Sequence, residues 1–136
     1  MTTNAYLGSP VALVSTQLAT YLGPDGIHDA LATFRWADAD PEAVHGGLTV
    51  GEDTVRPVFR RDSLADVVDG PVFDGDIELS LHGDGIDALL TVKWLQRPGR
   101  AFQLRYAPMS SYLHRIEDAI NPHSTLVDRR LGVGRS

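Results

Sequence analysis

The sequence predicts an α+β domain in which an antiparallel β-sheet of about seven strands carries one short helix and one longer helix near the C-terminus. Segments rich in β-branched and aliphatic residues follow one another along most of the chain. Short turns of Gly, Pro and Asp separate them, without the regular strand–helix alternation that a parallel sheet requires. Helical periodicity occurs at two places, one in the middle of the chain and one near its end.

The first four predicted strands form two pairs. Residues 11–22 and 27–36 flank a Gly-Pro-Asp-Gly turn, in which Pro presets φ and Gly accepts a positive φ. Residues 43–50 and 54–59 form the second pair around a Gly-Glu-Asp turn. Because Pro57 cannot donate a ladder hydrogen bond, we expect it at a sheet edge or at a bulge.

A short amphipathic helix is predicted after the fourth strand. Asp62 is the expected N-cap, since its carboxylate can accept hydrogen bonds from the free amides of the first turn. Leu64, Val67 and Val68 then lie on one apolar stripe, and a Gly-Pro pair ends the helix.

Three more strands and the longer helix complete the domain. Residues 76–82 and 86–95 are predicted to form a hairpin around a Gly-Asp-Gly turn, and residues 101–106 form the last strand. The helix is expected to begin at Pro108, whose missing N–H costs nothing in a first turn, and to end at Asn121. Its apolar stripe consists of Met109, Leu113, Ile116 and Ile120.

The length and composition indicate one domain. The 136 residues are enough for a single core, which we place in residues 1–120, and residues 121–136 have the little apolar mass of a flexible tail. The net charge of −6 disfavours nucleic acid and anionic lipid as partners. Zero cysteines exclude disulfides and thiolate metal sites. Without a basic leader or a long apolar run, a cytoplasmic protein with no membrane insertion is expected.

Few side chains have the spacing of a reactive centre. His82 and Asp84 could form an acid–base or metal pair, and Asp74, Asp76 and Glu78 alternate as they would on one face of a strand. Neither group has the ligand spacing of a known metal motif, so a solvated turn and a solvent-facing strand are the favoured interpretations. We therefore expect no enzyme, no catalytic residue, no cofactor and no metal ion; a small enzyme using His82 is the weakest alternative.

Three short segments share their order and spacing with a known family. Residues 40–44 are Asp-Pro-Glu-Ala-Val, residues 58–65 are Val-Phe-Arg-Arg-Asp-Ser-Leu-Ala, and residues 75–77 are Gly-Asp-Ile. Together they resemble the motifs of the SsgA-like proteins, actinomycete regulators of sporulation and cell division. The resemblance runs from about residue 34 to residue 120, and Pro57 replaces a Trp that is common in the family, which indicates a divergent member. The matching positions, expected to be mainly structural, are Asp40, Pro41, Val44, Phe59, Arg61, Asp62, Leu64, Gly75 and Asp76.

The resemblance implies a fold, an assembly and a set of partners. The sheet would be strongly curved, similar to that of the whirly nucleic-acid binders, and the chain would form a homotrimer. The trimer would act without catalysis, positioning the division septum by binding FtsZ, the tubulin-like division GTPase, or another SsgA-like protein.

The whirly-like sheet leaves open an alternative function, the binding of single-stranded nucleic acid. That function requires a basic, aromatic-lined groove. The negative net charge and the single lysine count against it, although five arginines could still form a local patch. They are Arg56, Arg60, Arg97, Arg100 and Arg105.

Overall fold

The computed structural model describes residues 11–121. Apart from its first residue, the flexible tail predicted over 121–136 lies outside the described residues. Two helices and nine strands are formed within residues 11–121. In chain order they are β1 (Ala12–Gly23), β2 (Gly26–Ala37), β3 (Ala43–Val50), β4 (Asp53–Val55), β5 (Val58–Arg60), α1 (Arg61–Asp66), β6 (Val72–Asp74), β7 (Ile77–His82), β8 (Leu89–Trp94), β9 (Ala101–Arg105) and α2 (Tyr106–Ile120).

All nine strands belong to one sheet. Every strand pairing in it is antiparallel, as the sequence predicts. The order across it is β4-β3-β2-β1-β9-β8-β7-β6, and β5 extends the sheet by pairing with the first half of β3. The sheet consists of two meanders, β1 to β4 and β6 to β9, in which strands that are consecutive in the chain lie side by side. The two meanders are joined where β1 pairs with β9. The hairpin of β1 and β2 is fully paired over twelve residues, from Ala12 opposite Ala37 to Gly23 opposite Gly26.

The inner face of the curled sheet packs against both helices. Alternation in β2 turns Phe34 and Trp36 inward, where they are almost completely buried. The phenol of Tyr112 on α2 donates a hydrogen bond of 2.7 Å to the Leu13 carbonyl, and the phenol of Tyr106 donates one of 2.7 Å to the Leu64 carbonyl. These bonds fix α2 against β1 and α1.

The number of strands exceeds the predicted seven for two reasons. Pro57 divides the segment predicted over 54–59 into β4 and β5, because it has no N–H for the ladder. Its carbonyl still accepts a 2.7 Å hydrogen bond from the Gly46 amide. Pro57 therefore lies between two short edge strands that pair only with β3, in agreement with the predicted position at a sheet edge or a bulge. The short strand β6 is additional, since the sequence predicts no strand between residues 59 and 76.

The short helix begins differently from the prediction. The prediction of Asp62 as N-cap is wrong, since α1 starts at Arg61 and Asp62 lies inside the first turn. The Arg60 amide donates instead to the Asp74 carboxylate, 2.7 Å away, so the capping acceptor comes from β6. Val68 is also wrongly placed on the buried stripe: the chain tightens into a 3₁₀ turn over Val67–Asp69, and Val68 is 57% exposed.

Two predicted details of the second half need correction. Asp74, Asp76 and Glu78 do not share one strand, because Asp74 ends β6 and the Gly75-Asp76 turn separates it from β7. Helix α2 begins at Tyr106, two residues before Pro108, which is tolerated inside the first turn. No helix in residues 11–121 is long and apolar enough to cross a membrane.

Candidate protein-binding surfaces

The motif residues of the sequence lie mostly where the β2–β3 connection meets β5 and α1. The Trp36 indole donates a 2.9 Å hydrogen bond to the Pro41 carbonyl, which ties the connection to the core. Val44 and Phe59 are directly opposite each other in the β3–β5 ladder, and both are buried. The Phe59 ring packs against Phe34 with a centroid distance of 6.1 Å.

The next motif residues join α1 to its surroundings. The Arg61 amide donates a 2.8 Å hydrogen bond to the Glu42 carbonyl, and the Arg61 guanidinium lies 3.9 Å from the Glu42 carboxylate. Leu64 is fully buried under the helix. Asp40 and Asp62 are exposed, and the charge of Asp62 in the first turn of α1 suits the positive end of the helix dipole.

Gly75 and Asp76 form the tight turn between β6 and β7. Gly75 has a φ of +63°, a left-handed conformation that L side chains rarely adopt. The Asp76 carbonyl accepts a 2.8 Å hydrogen bond from the Leu95 amide, which holds this turn beside the β8–β9 connection. Gly75 and Asp76 are thus far from the β3–β5 ladder in strand order, but the curl of the sheet brings their neighbour Asp74 within 2.7 Å of the Arg60 amide on β5.

An exposed apolar face covers the outer side of the β1–β2 hairpin. Leu18 and Leu31 are cross-strand partners, and so are Leu22 and Ile27. Leu18 is 83% exposed and Ile27 is 75% exposed, a high level for large aliphatic side chains in adjacent strands. We call this surface the hairpin face; it consists of Val14, Leu18, Leu22, Ile27 and Leu31.

A cavity with a volume of about 550 Å³ opens on the inner face of the sheet, at the end away from α2. Its aromatic wall is formed by Tyr21, Trp94 and Phe102 from β1, β8 and β9. The Phe102 ring packs at 5.0 Å from Tyr21 and at 5.8 Å, edge to face, from Trp94. Leu48 and Val50 of β3 add aliphatic surface on the facing side.

Four charged side chains surround the cavity. Arg97 and Arg100 come from the β8–β9 connection, and Asp53 and Asp76 come from the β3–β4 and β6–β7 turns. Both arginines are exposed, and neither has a carboxylate within 4.0 Å in residues 11–121. Arg105 lies at the far end of β9, about 17 Å from Arg100 at strand rise. The five arginines considered above therefore do not form one patch.

The remaining candidate groups are isolated from one another. His82 is exposed, and its Nε2 lies 3.1 Å from the Ser80 hydroxyl. Among residues 11–121, no three His, Asp or Glu side chains lie close enough to hold a metal ion. Burial raises the pKa of Tyr106, and it raises the pKa of Tyr112 to about 12 although the Arg115 guanidinium over its ring acts in the opposite direction.

Comparison with known proteins places the chain in a family. The family model described as "Streptomyces sporulation and cell division protein, SsgA" matches residues 30–124. The chain belongs to the SsgA-like family. This SsgA-like protein is 33% identical over 100 residues to the sporulation-specific cell division protein SsgB of Streptomyces coelicolor, covering 67% of this chain and 68% of SsgB. The family resemblance seen in the sequence motifs is thus confirmed.

Two solved structures share the fold of this SsgA-like protein. A structure of SsgB from work on longitudinal cell division in sporulating Streptomyces coelicolor superposes with a TM-score of 0.70 at 24% identity, covering 85% of this chain and 94% of its own. The SsgA-like sporulation-specific cell division protein of Thermobifida fusca gives a TM-score of 0.74 at 22% identity, covering 93% and 96%. The predicted α+β class with a curved antiparallel sheet and two helices is confirmed.

Both surfaces of this SsgA-like protein were missed by the sequence reading. The apolar residues of the hairpin face stand at alternate positions of two predicted strands, but alternation alone does not tell which face is buried. The cavity joins residues that are separated by up to 81 positions, from Tyr21 to Phe102, and no local pattern signals such a contact. Of the lining residues, Asp76, Arg97 and Arg100 were singled out in the sequence, but as a motif position and as members of an arginine patch.

Proposed function

We propose that this SsgA-like protein is a non-enzymatic regulator of sporulation and cell division, which helps to position the division septum by binding FtsZ or another SsgA-like protein. Membership of the family supports a role in sporulation and division. The observation that carries the binding role is the hairpin face, since isolated soluble domains rarely expose adjacent aliphatic side chains on a regular strand pair. This role implies a cytoplasmic protein that is present at the septum during division.

We further propose that the hairpin face is the contact between subunits of a homotrimer. Along the hairpin, apolar cross-strand pairs alternate with small polar ones: the Leu18–Leu31 pair follows the Thr16–Thr33 pair. Two charged residues also face outward on the hairpin, Arg35 opposite Val14 and Asp29 opposite Thr20, and burying either of them unpaired would be costly. Asp29 lies between the Leu18–Leu31 and Leu22–Ile27 pairs, so the proposed contact requires that Asp29 pair with a cation of another subunit, and Arg35 on the same face is the expected partner.

Light scattering tests the assembly. Leu18→Glu and Ile27→Glu place carboxylates on the hairpin face, and each is expected to convert a trimer into monomers with an unchanged circular dichroism spectrum. Phe73→Glu is the matched control, because Phe73 is also exposed but lies on β6, away from the hairpin. A monomeric wild-type protein, or a Leu18→Glu variant that remains trimeric, would refute the proposed contact.

Co-sedimentation with polymerised FtsZ tests the partner. The full chain should pellet with FtsZ polymers in a saturable manner, beside SsgB of Streptomyces coelicolor as the reference protein. An absence of pelleting at tens of micromolar, on the order of the weakest useful signalling affinities, would remove FtsZ as the partner while leaving the assembly result untouched.

A further inference from the structure

The cavity on the inner face of the sheet belongs to neither the hairpin face nor the packed core. Its lining comes from the sheet and its connections, and no described residue of α2 contributes to it. Helix α2 therefore covers one end of the inner face, and the other end stays open with a volume of about 550 Å³. This volume lies in the range of binding sites, and the lining combines aromatic and aliphatic side chains with several polar and charged ones.

The wall of the cavity suits one bulky apolar side chain. Tyr21 and Trp94 are half-buried beside the buried ring of Phe102, so aromatic surface remains open to an occupant. Val50 of β3 and Val55 of β4 also line the cavity and keep exposed aliphatic surface, whereas Leu48 is buried. An aromatic or large aliphatic group between the two walls would lose contact with water on both sides, which is the main source of affinity in such pockets.

The basic groups of the cavity come from the β8–β9 hairpin, and they share the lining with the carboxylates of Asp53 and Asp76. This hairpin carries four basic residues, and the chain has no Asp or Glu between Asp87 and Glu117, although its net charge is −6. Of the four, Arg97 and Arg100 line the cavity. Their free guanidinium groups can each bind a carboxylate through two hydrogen bonds.

We propose that the cavity binds a peptide segment of a partner protein, through one bulky apolar side chain with a carboxylate beside it. The apolar side chain packs against Tyr21 and Trp94, and the carboxylate binds Arg97 or Arg100. Backbone N–H groups of the segment donate to the carboxylates of Asp53 and Asp76, which also line the cavity. This inference rests on the proposed role in protein binding and assigns it a second surface.

A nucleic-acid strand fits the same cavity less well. Its phosphates would meet Asp53 and Asp76 as well as the two arginines. The basic track would also be short, because Arg105 lies at the other end of β9, where its guanidinium is 3.9 Å from the Asp87 carboxylate. A peptide needs only one contact between a carboxylate and an arginine at the cavity, whereas a single-stranded nucleic acid needs a row of contacts between phosphates and basic side chains.

An NMR titration of the full chain tests the proposal with a built-in reference. Trp94 lines the cavity, so its indole N–H signal reports on an occupant. The Trp36 indole is buried and donates a hydrogen bond to the Pro41 carbonyl. The probe is the tripeptide aspartyl-phenylalanyl-aspartate, blocked at both ends. We expect it to shift the Trp94 indole signal in a saturable manner and to leave the Trp36 signal unmoved. Replacing the phenylalanine of the probe by alanine should weaken binding about tenfold or more.

Two double variants separate the cavity from the general charge of the hairpin. Arg97→Ser with Arg100→Ser should abolish the response to the probe. Lys93→Ser with Arg105→Ser removes the same charge from the same hairpin outside the cavity and should preserve the response. Equal losses in both double variants would overturn the proposal.

Three other outcomes would also overturn it. They are a Trp94 signal that stays unmoved at millimolar probe, an equal response to lysyl-phenylalanyl-lysine, and tight binding of oligothymidylate with a steep salt dependence at the same signals. Because the titration contains no FtsZ, its failure would leave the co-sedimentation result standing, and the absence of FtsZ binding would leave the titration standing.

Discussion

Replacing Tyr112 by Phe removes the hydrogen bond that fastens α2 to the first strand of the sheet. The Tyr112 phenol donates to the Leu13 carbonyl over 2.7 Å, so α2 and β1 are joined across 99 positions of sequence. The side chain is 1% exposed, and water cannot replace the lost donor. The Leu13 carbonyl keeps its ladder partner Trp36 on β2, so removing the phenol should lower the free energy of unfolding by about 0.5–1.5 kcal/mol, the net contribution of one intramolecular hydrogen bond.

The same substitution should change how stability depends on pH. Burial raises the pKa of Tyr112 to about 12 in the folded protein, whereas the phenol ionises near pH 10 in an unfolded chain. The folded state therefore holds the proton more tightly, and this contribution is fully present below pH 10. It is lost as the pH rises from about 10 to about 12, because the unfolded state then ionises first.

Urea denaturation of the two proteins at a series of pH values measures both effects. The difference between wild type and Tyr112→Phe should be largest at neutral pH and should shrink through the alkaline window. Tyr21→Phe is the control, since the Tyr21 hydroxyl has no hydrogen-bond partner in residues 11–121. A neutral-pH difference of less than about 0.5 kcal/mol, the usual size of a surface effect, or a difference that stays constant up to pH 12, would refute the reasoning.

Three further substitutions test the fold around the motif residues, each by its free energy of unfolding in urea. Phe59→Ala should cost about 3–5 kcal/mol because it opens a cavity under β3, whereas the exposed Phe73→Ala should cost less than about 0.5 kcal/mol. Gly75→Ala should cost about 1–2 kcal/mol from the left-handed φ alone, since a Cβ there meets no atom within 4 Å, and Asn at this position should recover part of the loss. Asp74→Ala should cost about 0.5–2 kcal/mol by removing the acceptor at the start of α1, whereas Asp62→Ala should change little; the reverse ranking would restore Asp62 as the cap.

Turn chemistry made most of the elements predictable. Gly and Pro at the turns, with β-branched residues between them, located β1, β2, β3 and β9 to within one or two residues. The errors lie where a distant group determined the local structure. The Asp74 carboxylate accepts a hydrogen bond from the Arg60 amide at the start of α1, fourteen residues away. The local pattern alone favours Asp62 as the residue that caps this helix.

The candidate surfaces were less predictable than the elements. Leu18 and Ala19 are neighbours on one predicted strand, yet Leu18 faces solvent and Ala19 faces the core. Nothing local distinguishes them, because the buried face of a strand is chosen by what packs against it. Likewise, Arg97 and Arg100 could be recognised as basic turn residues, but their position beside an aromatic cavity depends on the pairing of β8 with β9 and of β9 with β1.

The amino-acid order by itself determined the local features of this protein: its strands, its turns, its two helices and the spaced motifs that mark its family. These follow from backbone preferences that act over a few residues. Only the tertiary structure decided which strand faces meet water, where the cavity opens and which carboxylate caps the short helix. Those features arise from contacts between residues far apart in the chain, whose geometry is fixed once the sheet has curled around α2.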